Sequence, residues 1–590
     1  MSDPLNYDTL DGGRHCNYYT YDRALQFELR RRCGAEELDW GEPRLREFGE
    51  TAGHTIADNA DIAADHPPEL HTYDKHGEVV NEVEYHPAHT ENERLVYEAG
   101  VIADAFEAPP GREEPVSLLY HFGQFALMEY ASSVGLGCPG AMTGGAALVL
   151  EKFDDGSLRE FYDGLTARTY DDLMTGAMFL TEKQGGSDVG ANEVTAEPQD
   201  DGTYELYGEK WFCSNIDAEA ALVLARRPDA PNGTDGLSLF LVSTHDRDGE
   251  PTDYRFRRLK DKLGTRTVPT GEVVFEGAEA YLIGEPENGF EQMSEMLNME
   301  RLYNAIGACS GMGRSLLESK VHAADRETFG KRLIEHPLMR RDLVEMAVDH
   351  EAALAFTFEA VEAFHRRERG TDDETDEAYR LMRILVPVAK YRTARMAVDT
   401  ASYAMEIKGG NGYVEEFVHP RLLRNAQVLP IWEGASNIMA LDVLRAMARE
   451  AAHEPLLALI EERLDAVDHP AIENLAEEIR AELDGLEEAI VTIGAEDIEY
   501  AQRQAKELAD YVFDVTTAAI LIEQAQWQLD KDEDARKALV AEQFADSHIR
   551  DRDARGIPGG DRPPAEGFDA IVRFASVAPE AMSESPVKAD

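Results

Sequence analysis

Apolar residues change their spacing twice along this chain, and that double change constrains its fold more than any other feature. Up to about residue 170 they recur at helical intervals, as in Leu25, Phe27 and Leu29 and again in Leu118, Leu119, Phe122, Phe125 and Leu127. From about Gly176 they alternate. Runs at 177–181, 192–197, 203–215, 220–226, 237–243 and 272–275, separated by Gly, Pro, Asn and Asp, predict a β-barrel or sandwich of roughly a hundred residues. Helical spacing returns after about Asn288. Glu300 and Arg301 open a long helix with Leu302, Ile306, Leu316 and Leu317; others follow from about Met339 and over 378–407, 456–464, 472–490 and 496–529. The chain reads as α+β, mostly α. Its expected parts are an N-terminal helical domain (1–172), a central β-domain (173–287), a C-terminal helical bundle (288–450), a helical extension (451–578) and a polar tail (579–590), with a Pro/Gly-rich passage at 556–564.

Two local patterns in the first part mislead by letter. Pro67 and Pro68 introduce a Val79, Val80, Val83, Tyr85 stretch that predicts a short hairpin, followed by HPAH. Pro87 interrupts the helix that would align His86 with His89, so no metal site is expected there. Gly135 to Gly140 spell GxGxxG, but no strand-like run precedes them, and turn glycines between helices are the better reading.

Charge sets the solvent this surface suits. There are 58 basic and 115 acidic residues, a net charge of −57, with 14 Lys beside 44 Arg. Such a surface repels itself in dilute buffer, and molar salt, which shortens the Debye length to about 3 Å, relieves it. With 43% hydrophobic residues the chain still has material for a packed core. We read a salt-adapted, halophilic, cytoplasmic protein whose charge weighs against nucleic-acid and anionic-membrane binding. The region 451–590, with 13 basic and 33 acidic residues, is an especially poor partner for a phosphate backbone. Cys16, Cys33, Cys138, Cys213 and Cys309 show no CxxC spacing, and the longest apolar runs, 146–150 and 384–389, are too short to span a bilayer.

The richest chemistry lies in KGGNGYVEEFVHPRLLRNAQVLPIWEGASNIMALDVLR, residues 408–445. Gly409, Gly410 and Gly412 let backbone approach a flat or charged ligand, and Trp432 walls Glu433 from water. Gly434 leaves the carboxylate uncrowded, and Ser436 is placed to cap a helix from about Asn437. Glu433 is then either a base or a first-turn acid favoured by the helix dipole. TEKQGGSD, residues 181–188, offers hydroxyls and backbone N–H groups to a polar ring or phosphate, or forms an ordinary polar turn. Arg301 and Arg326 either pair with carboxylates or bind phosphates.

In their order, GAMFLTEKQGGSD, the Glu300-Arg301 helix, RETFGKRL and KGGNGY…PIWEGASNI resemble the acyl-CoA dehydrogenase family over roughly residues 90–450. The stretches NAQVLPIWEGASNIMALDVLR, TEKQGGSD and HPPELHTYDKHGEVVNEVEYHPA are most similar to its AidB-like branch, and the helical extension fits that branch. The resemblance implies FAD held between the β-domain and the C-terminal helical domain, an acyl-CoA substrate, and a Glu that removes the α-proton while the β-hydride passes to the flavin. Electrons would then leave to an electron-transfer flavoprotein.

Residue by residue, Met178, Leu180, Thr181 and Ser187 match the flavin-contacting strand and loop. Ser214 stands where the family usually has a Thr, and Phe212 where it usually has a Trp. Arg326 and Phe329 match residues that reach the FAD of a neighbouring subunit, implying a homodimer or homotetramer, and Gly409 and Gly410 match glycines near that cofactor. Asn437 replaces a common Gln, and Ala435 replaces a flavin-contacting Thr, removing one hydroxyl. Glu433 falls on the family's EGTS-type glutamate, with Arg301 and Gly434 on the substrate side. Members similar to isovaleryl-CoA dehydrogenase carry the base at the position of Glu300, so Glu300 is the alternative base or a pKa-raising neighbour, against the plain reading of a surface acid balancing Arg301. Two other functions stay open: an AidB-like DNA-associated alkylation-response flavoprotein with residual dehydrogenase activity, and a flavin oxidase or monooxygenase on the same fold.

Overall fold

The computed structural model describes residues 4–245, 252–550 and 567–583. The passage 556–564 and the end of the expected polar tail lie outside them. The chain divides into two units, Met1–Ala35 with Ala308–Asp590, and Glu36–Gly307.

In the unit Glu36–Gly307, Pro67 and Pro68 end the helix Ala57–Asp65 and lead into the expected hairpin, β1 (Glu69–Tyr73) paired antiparallel with β2 (Val79–Glu84). Pro87 does not break a helix. It occupies the first turn of Pro87–Glu98 with His86 as cap, because a residue lacking an N–H costs nothing where that N–H would be unpaired anyway. Ser117 caps the next helix, Leu118–Ser132, every residue of which is buried. The following helix, Gly137–Phe153, begins inside GLGCPG, so Gly137 and Gly140 are helical and only its first residues form the turn. A Cβ on Gly137 would fall 1.4 Å from Glu129 Oε1, a close approach that only glycine permits.

The alternating segment forms a sheet closed on itself. Its strands are β3 (Gly176–Phe179), β4 (Thr195–Pro198), β5 (Tyr204–Ser214), β6 (Ala220–Arg226), β7 (Leu237–Val242), β8 (Tyr254–Leu259) and β9 (Thr270–Ile283). They run in the order β3-β6-β4-β5-β9-β7; β7 returns to β6, and β8 pairs with β9. The inward residues, among them Phe179, Leu206, Val223, Phe240, Phe256 and Val273, make one core. β8 was not expected. Tyr254 and Phe256 point inward, while Arg255 and Arg257 pair with Glu276 and Glu209, so the strand reads as a charged loop. Asn81, in left-handed backbone (φ 47°) on β2, binds β8 from outside, donating to Tyr254 O at 2.7 Å and accepting from Phe256 N at 2.9 Å.

The other unit is helical. Its long elements are Pro337–Arg369 and Asp372–Lys408, followed by Val418–Ala426 and Ser436–Glu450. The extension adds His453–Asp465, Glu473–Ala495, Ile498–Arg503, Ala505–Asp532, Arg536–His548 and Phe568–Arg573; the expected helix 496–529 is broken at Gln504, and the two after it were not anticipated. The N-terminal segment is tied in by buried ions. Arg32 pairs with Glu28 and Glu359; elsewhere in the unit, Arg536 and Lys537 share Glu351 of Pro337–Arg369 and, against its burial, hold its carboxyl far below the usual range. No helix among the described residues is long and apolar enough to cross a membrane.

Candidate functional site

Within Glu36–Gly307 the TEKQGGSD loop leaves β3. Met178 is buried, Leu180 and Thr181 are half-buried and Ser187 is exposed. Trp211 N donates to Thr181 O at 2.8 Å, and Asn192 Nδ2 to Leu180 O at 2.9 Å. Beneath the loop, Lys210, wholly buried, donates to Glu182 Oε1 at 2.8 Å and to Leu180 O at 3.3 Å, while Glu182 also accepts from Glu193 N at 2.6 Å. Gly185 takes φ 133°, and a Cβ on Gly186 would lie 2.5 Å from Thr181 Oγ1. The loop is therefore pinned to the sheet beneath it through its carbonyls and the Glu182 carboxylate.

On β5, Phe212 is 52% exposed and Ser214 bonds Thr270 Oγ1 at 2.9 Å. Lys260 Nζ sits 3.8 Å above the Trp211 ring and 4.6 Å above Phe212. Lys262 donates to Thr270 Oγ1 at 2.9 Å, and burial pushes its pKa down to about 8.

Glu300 does not open its helix. It lies in the interior of Gly289–Asp325 and is 5% exposed, which excludes the surface-acid reading. A Cβ on Gly145 would stand 3.4 Å from Glu300 Oε1, and one on Gly144 2.5 Å from the Tyr303 hydroxyl. Tyr303 meets His121 Nε2 at 2.7 Å; burial lowers the His121 pKa to about 4 and keeps its ring neutral. Arg301 is half-buried.

The remaining residues belong to the other unit. Arg326 follows the end of Gly289–Asp325 and is exposed. The residues after it make a two-residue hairpin, β10 (Glu327–Thr328) and β11 (Lys331–Arg332), with Phe329 (φ 52°) and Gly330 (φ 81°) at the turn and Phe329 98% exposed. Gly409 (φ 71°) and Gly410 open a 3-10 turn with nothing within 4 Å of a Cβ on either. Glu433 is half-buried in left-handed backbone (φ 52°), followed by Gly434 at φ 103°. A Cβ on Gly434 would meet Met439 Cε at 2.3 Å. The cap was misassigned from sequence. Ser436 is the first helical residue, Ala435 takes the cap position, and no side chain caps the helix; Asn437 is exposed.

Three features escaped the sequence reading. Lys210 has the inward parity of Leu206 on its strand, and Lys390 adjoins the apolar run 384–389, so both were detectable as charges at core positions. The His121–Tyr303 pair lies 182 residues apart and had no local signal.

Comparison with known proteins adds three matches along the chain: the Adaptive response protein AidB N-terminal domain at 12–172, the acyl-CoA dehydrogenase middle domain at 177–278 and its C-terminal domain at 287–448. The chain is similar to acyl-CoA dehydrogenase family member 11 of Caenorhabditis elegans, 34% identical over 73% of this chain and 71% of that protein. It is also 34% identical to the putative acyl-CoA dehydrogenase AidB of Escherichia coli K12, over 75% of this chain and 80% of that one. A crystal structure of C. elegans ACDH-11 in complex with C11-CoA superposes with a TM-score of 0.85 at 28% identity, covering 92% of this chain and 93% of the other.

Proposed function

The chain belongs to the acyl-CoA dehydrogenase family, and from that premise we propose that it catalyses FAD-dependent α,β-dehydrogenation of an acyl-CoA thioester with Glu433 as the base. The observation that carries this reading is the Glu433 turn. A non-glycine residue in left-handed backbone is costly and is kept where the surrounding structure demands it. Glu433 stands three positions before the helix that starts at Ser436.

FAD fits the residues of each unit taken by itself: the TEKQGGSD loop of one has N–H and O–H donors, and in the other nothing lies within 4 Å of a Cβ on Gly409 or Gly410. When bound, it supplies the acceptor for the β-hydride. Thr181, Ser187 and Ser214 would hold it through their hydroxyls, Met178, Leu180 and Phe212 through apolar contact, and Asn437 stands where the family commonly has Gln. The exposed Arg326 and Phe329 would reach the cofactor of a second copy, so the working form we propose is a homodimer or homotetramer. Glu433 takes the α-proton, and Arg301 and Gly434 contact the thioester side. A carboxylate removes so weak an acid only when desolvated and aligned. Glu300, buried near Gly145, is the alternative base. Electrons leave to an electron-transfer flavoprotein.

The N-terminal match favours the AidB-like branch, but a net charge of −57 opposes a DNA-binding role. We read the acidic surface as an adaptation to salt. Anaerobic mixing of the FAD-loaded protein with acyl-CoAs around eleven carbons, the length bound to ACDH-11, tests the assignment. Bleaching of the flavin is expected, and its loss in Glu433→Gln. No bleaching with any acyl-CoA overturns the dehydrogenase reading; loss in Glu300→Gln alone moves the base. Rapid reoxidation by oxygen favours an oxidase.

A further inference from the structure

We propose that Lys390 is the positioning residue of the Glu433 turn: its buried ammonium holds the carbonyl of Gly434 and thereby fixes where the neighbouring carboxylate stands. This rests on the reading of Glu433 as base.

Lys390 lies in the middle of Asp372–Lys408, directly after an apolar run, and like Ile384, Leu385 and Val386 it is wholly buried. An ammonium removed from water is disfavoured unless its N–H groups are engaged. Nζ donates to Gly434 O at 2.6 Å. The same helix carries Arg383 seven residues earlier, two turns back on the same face, and Arg380 one turn before that. Arg380 donates to the carbonyls of Glu450 (2.8 Å) and Ala451 (2.7 Å), at the C-terminal end of Ser436–Glu450, where the dipole favours a cation. Arg383 pairs with Asp442 and Glu450, both at 3.1 Å. Three cations on one helix face therefore track the catalytic helix from its last carbonyls to the turn that precedes it, and Lys390 is the last of them.

The turn needs such a support. Glu433 and Gly434 are consecutive left-handed residues, and Ala435 provides no side-chain cap to hold the helix entrance. Rotation of the 434–435 peptide would swing Glu433, and a hydrogen bond from a rigid, buried lysine to the Gly434 carbonyl opposes it.

The test uses the full-length, FAD-loaded enzyme with Lys390→Met, close in size but without donor or charge. With an acyl-CoA that bleaches the wild type, flavin reduction is expected to slow about 100-fold, the scale of a misplaced catalytic group. The isotope effect with α-deuterated acyl-CoA is expected to rise, affinity for a non-reactive 3-thia-acyl-CoA to hold, and amide exchange over 433–436 to accelerate. Reduction within about threefold of wild type, or weakened binding with an unchanged isotope effect, overturns the proposal. Glu433→Gln run in parallel separates the two readings: bleaching by that variant removes the base assignment and the catalytic role of Lys390 with it, while amide exchange in Lys390→Met still decides whether the lysine holds the turn. Should Lys390→Met not fold, exchange in the wild type decides. Amides 434 and 435 exchanging at the rates of an unstructured peptide overturn the proposal; slower exchange supports it.

Discussion

The Lys210 ammonium stands 2.8 Å from Glu182 in the wall of the β-domain, and both side chains are almost wholly excluded from water. Burial lowers the Lys210 pKa and Glu182 pulls it back. Because Glu182 also accepts from Glu193 N, the pair fastens the loop that carries Thr181. Removing one partner leaves a buried charge, so Lys210→Met is expected to destabilise by about 3–5 kcal/mol. Urea unfolding and retention of FAD on a desalting column check this; a stable variant that keeps its flavin assigns the pair no part in shaping the loop.

Phe329 is expected to matter to the assembly and hardly at all to the single chain. At 98% exposure it buries nothing in its own unit, so Phe329→Ala should leave the unfolding free energy within about 0.5 kcal/mol. Sedimentation at graded concentrations should show weaker self-association, accompanied by FAD loss. An unchanged association constant would remove Phe329 from the interface.

Glu129 carries a pH signature. Burial raises its pKa from 4.5 to about 7, one oxygen accepts from Val134 N at 2.6 Å, and a Cβ on Gly307 would lie 3.4 Å from the same oxygen. Its folded pKa exceeds its unfolded value, so between pH 4.5 and about 7 the folded state holds more protons. The contribution is fully present below pH 4.5 and lost as pH rises through about 7, up to roughly 3 kcal/mol. Chemical unfolding at pH 5 and pH 8 should show that component in the wild type and not in Glu129→Gln.

Salt should raise stability. Going from 0.1 to 1 M shortens the Debye length from about 10 to 3 Å and screens a net charge of −57, although exposed pairs such as Arg46–Glu42 weaken too. Thermal midpoints in a NaCl series are expected to climb; a flat or falling series rules out the salt-adapted reading.

What the sequence disclosed follows physical locality. The hairpin before Pro87, most strands and the long helices announced themselves through spacing. β8 hid because half its residues are arginines paired across the sheet, and the cap of the Glu433 helix was misassigned because Ser436 has the right chemistry one position too late. Glu433 stood out through its glycine and tryptophan neighbours, but the Lys390 contact to the adjoining Gly434 comes from a helix over forty residues earlier. Such contacts leave at most a charged letter in an apolar run.

Asn81 shows what one amide does for the colloidal life of the molecule. By taking both Tyr254 O and Phe256 N, it covers the peptide row that β8 would otherwise offer to any extended polypeptide in a crowded solution. Bare strand margins are where β-proteins join one another and precipitate. A side chain a hundred residues before the TEKQGGSD loop thus guards against fibre-like growth, and its loss would be read in turbidity at high concentration before it was read in turnover.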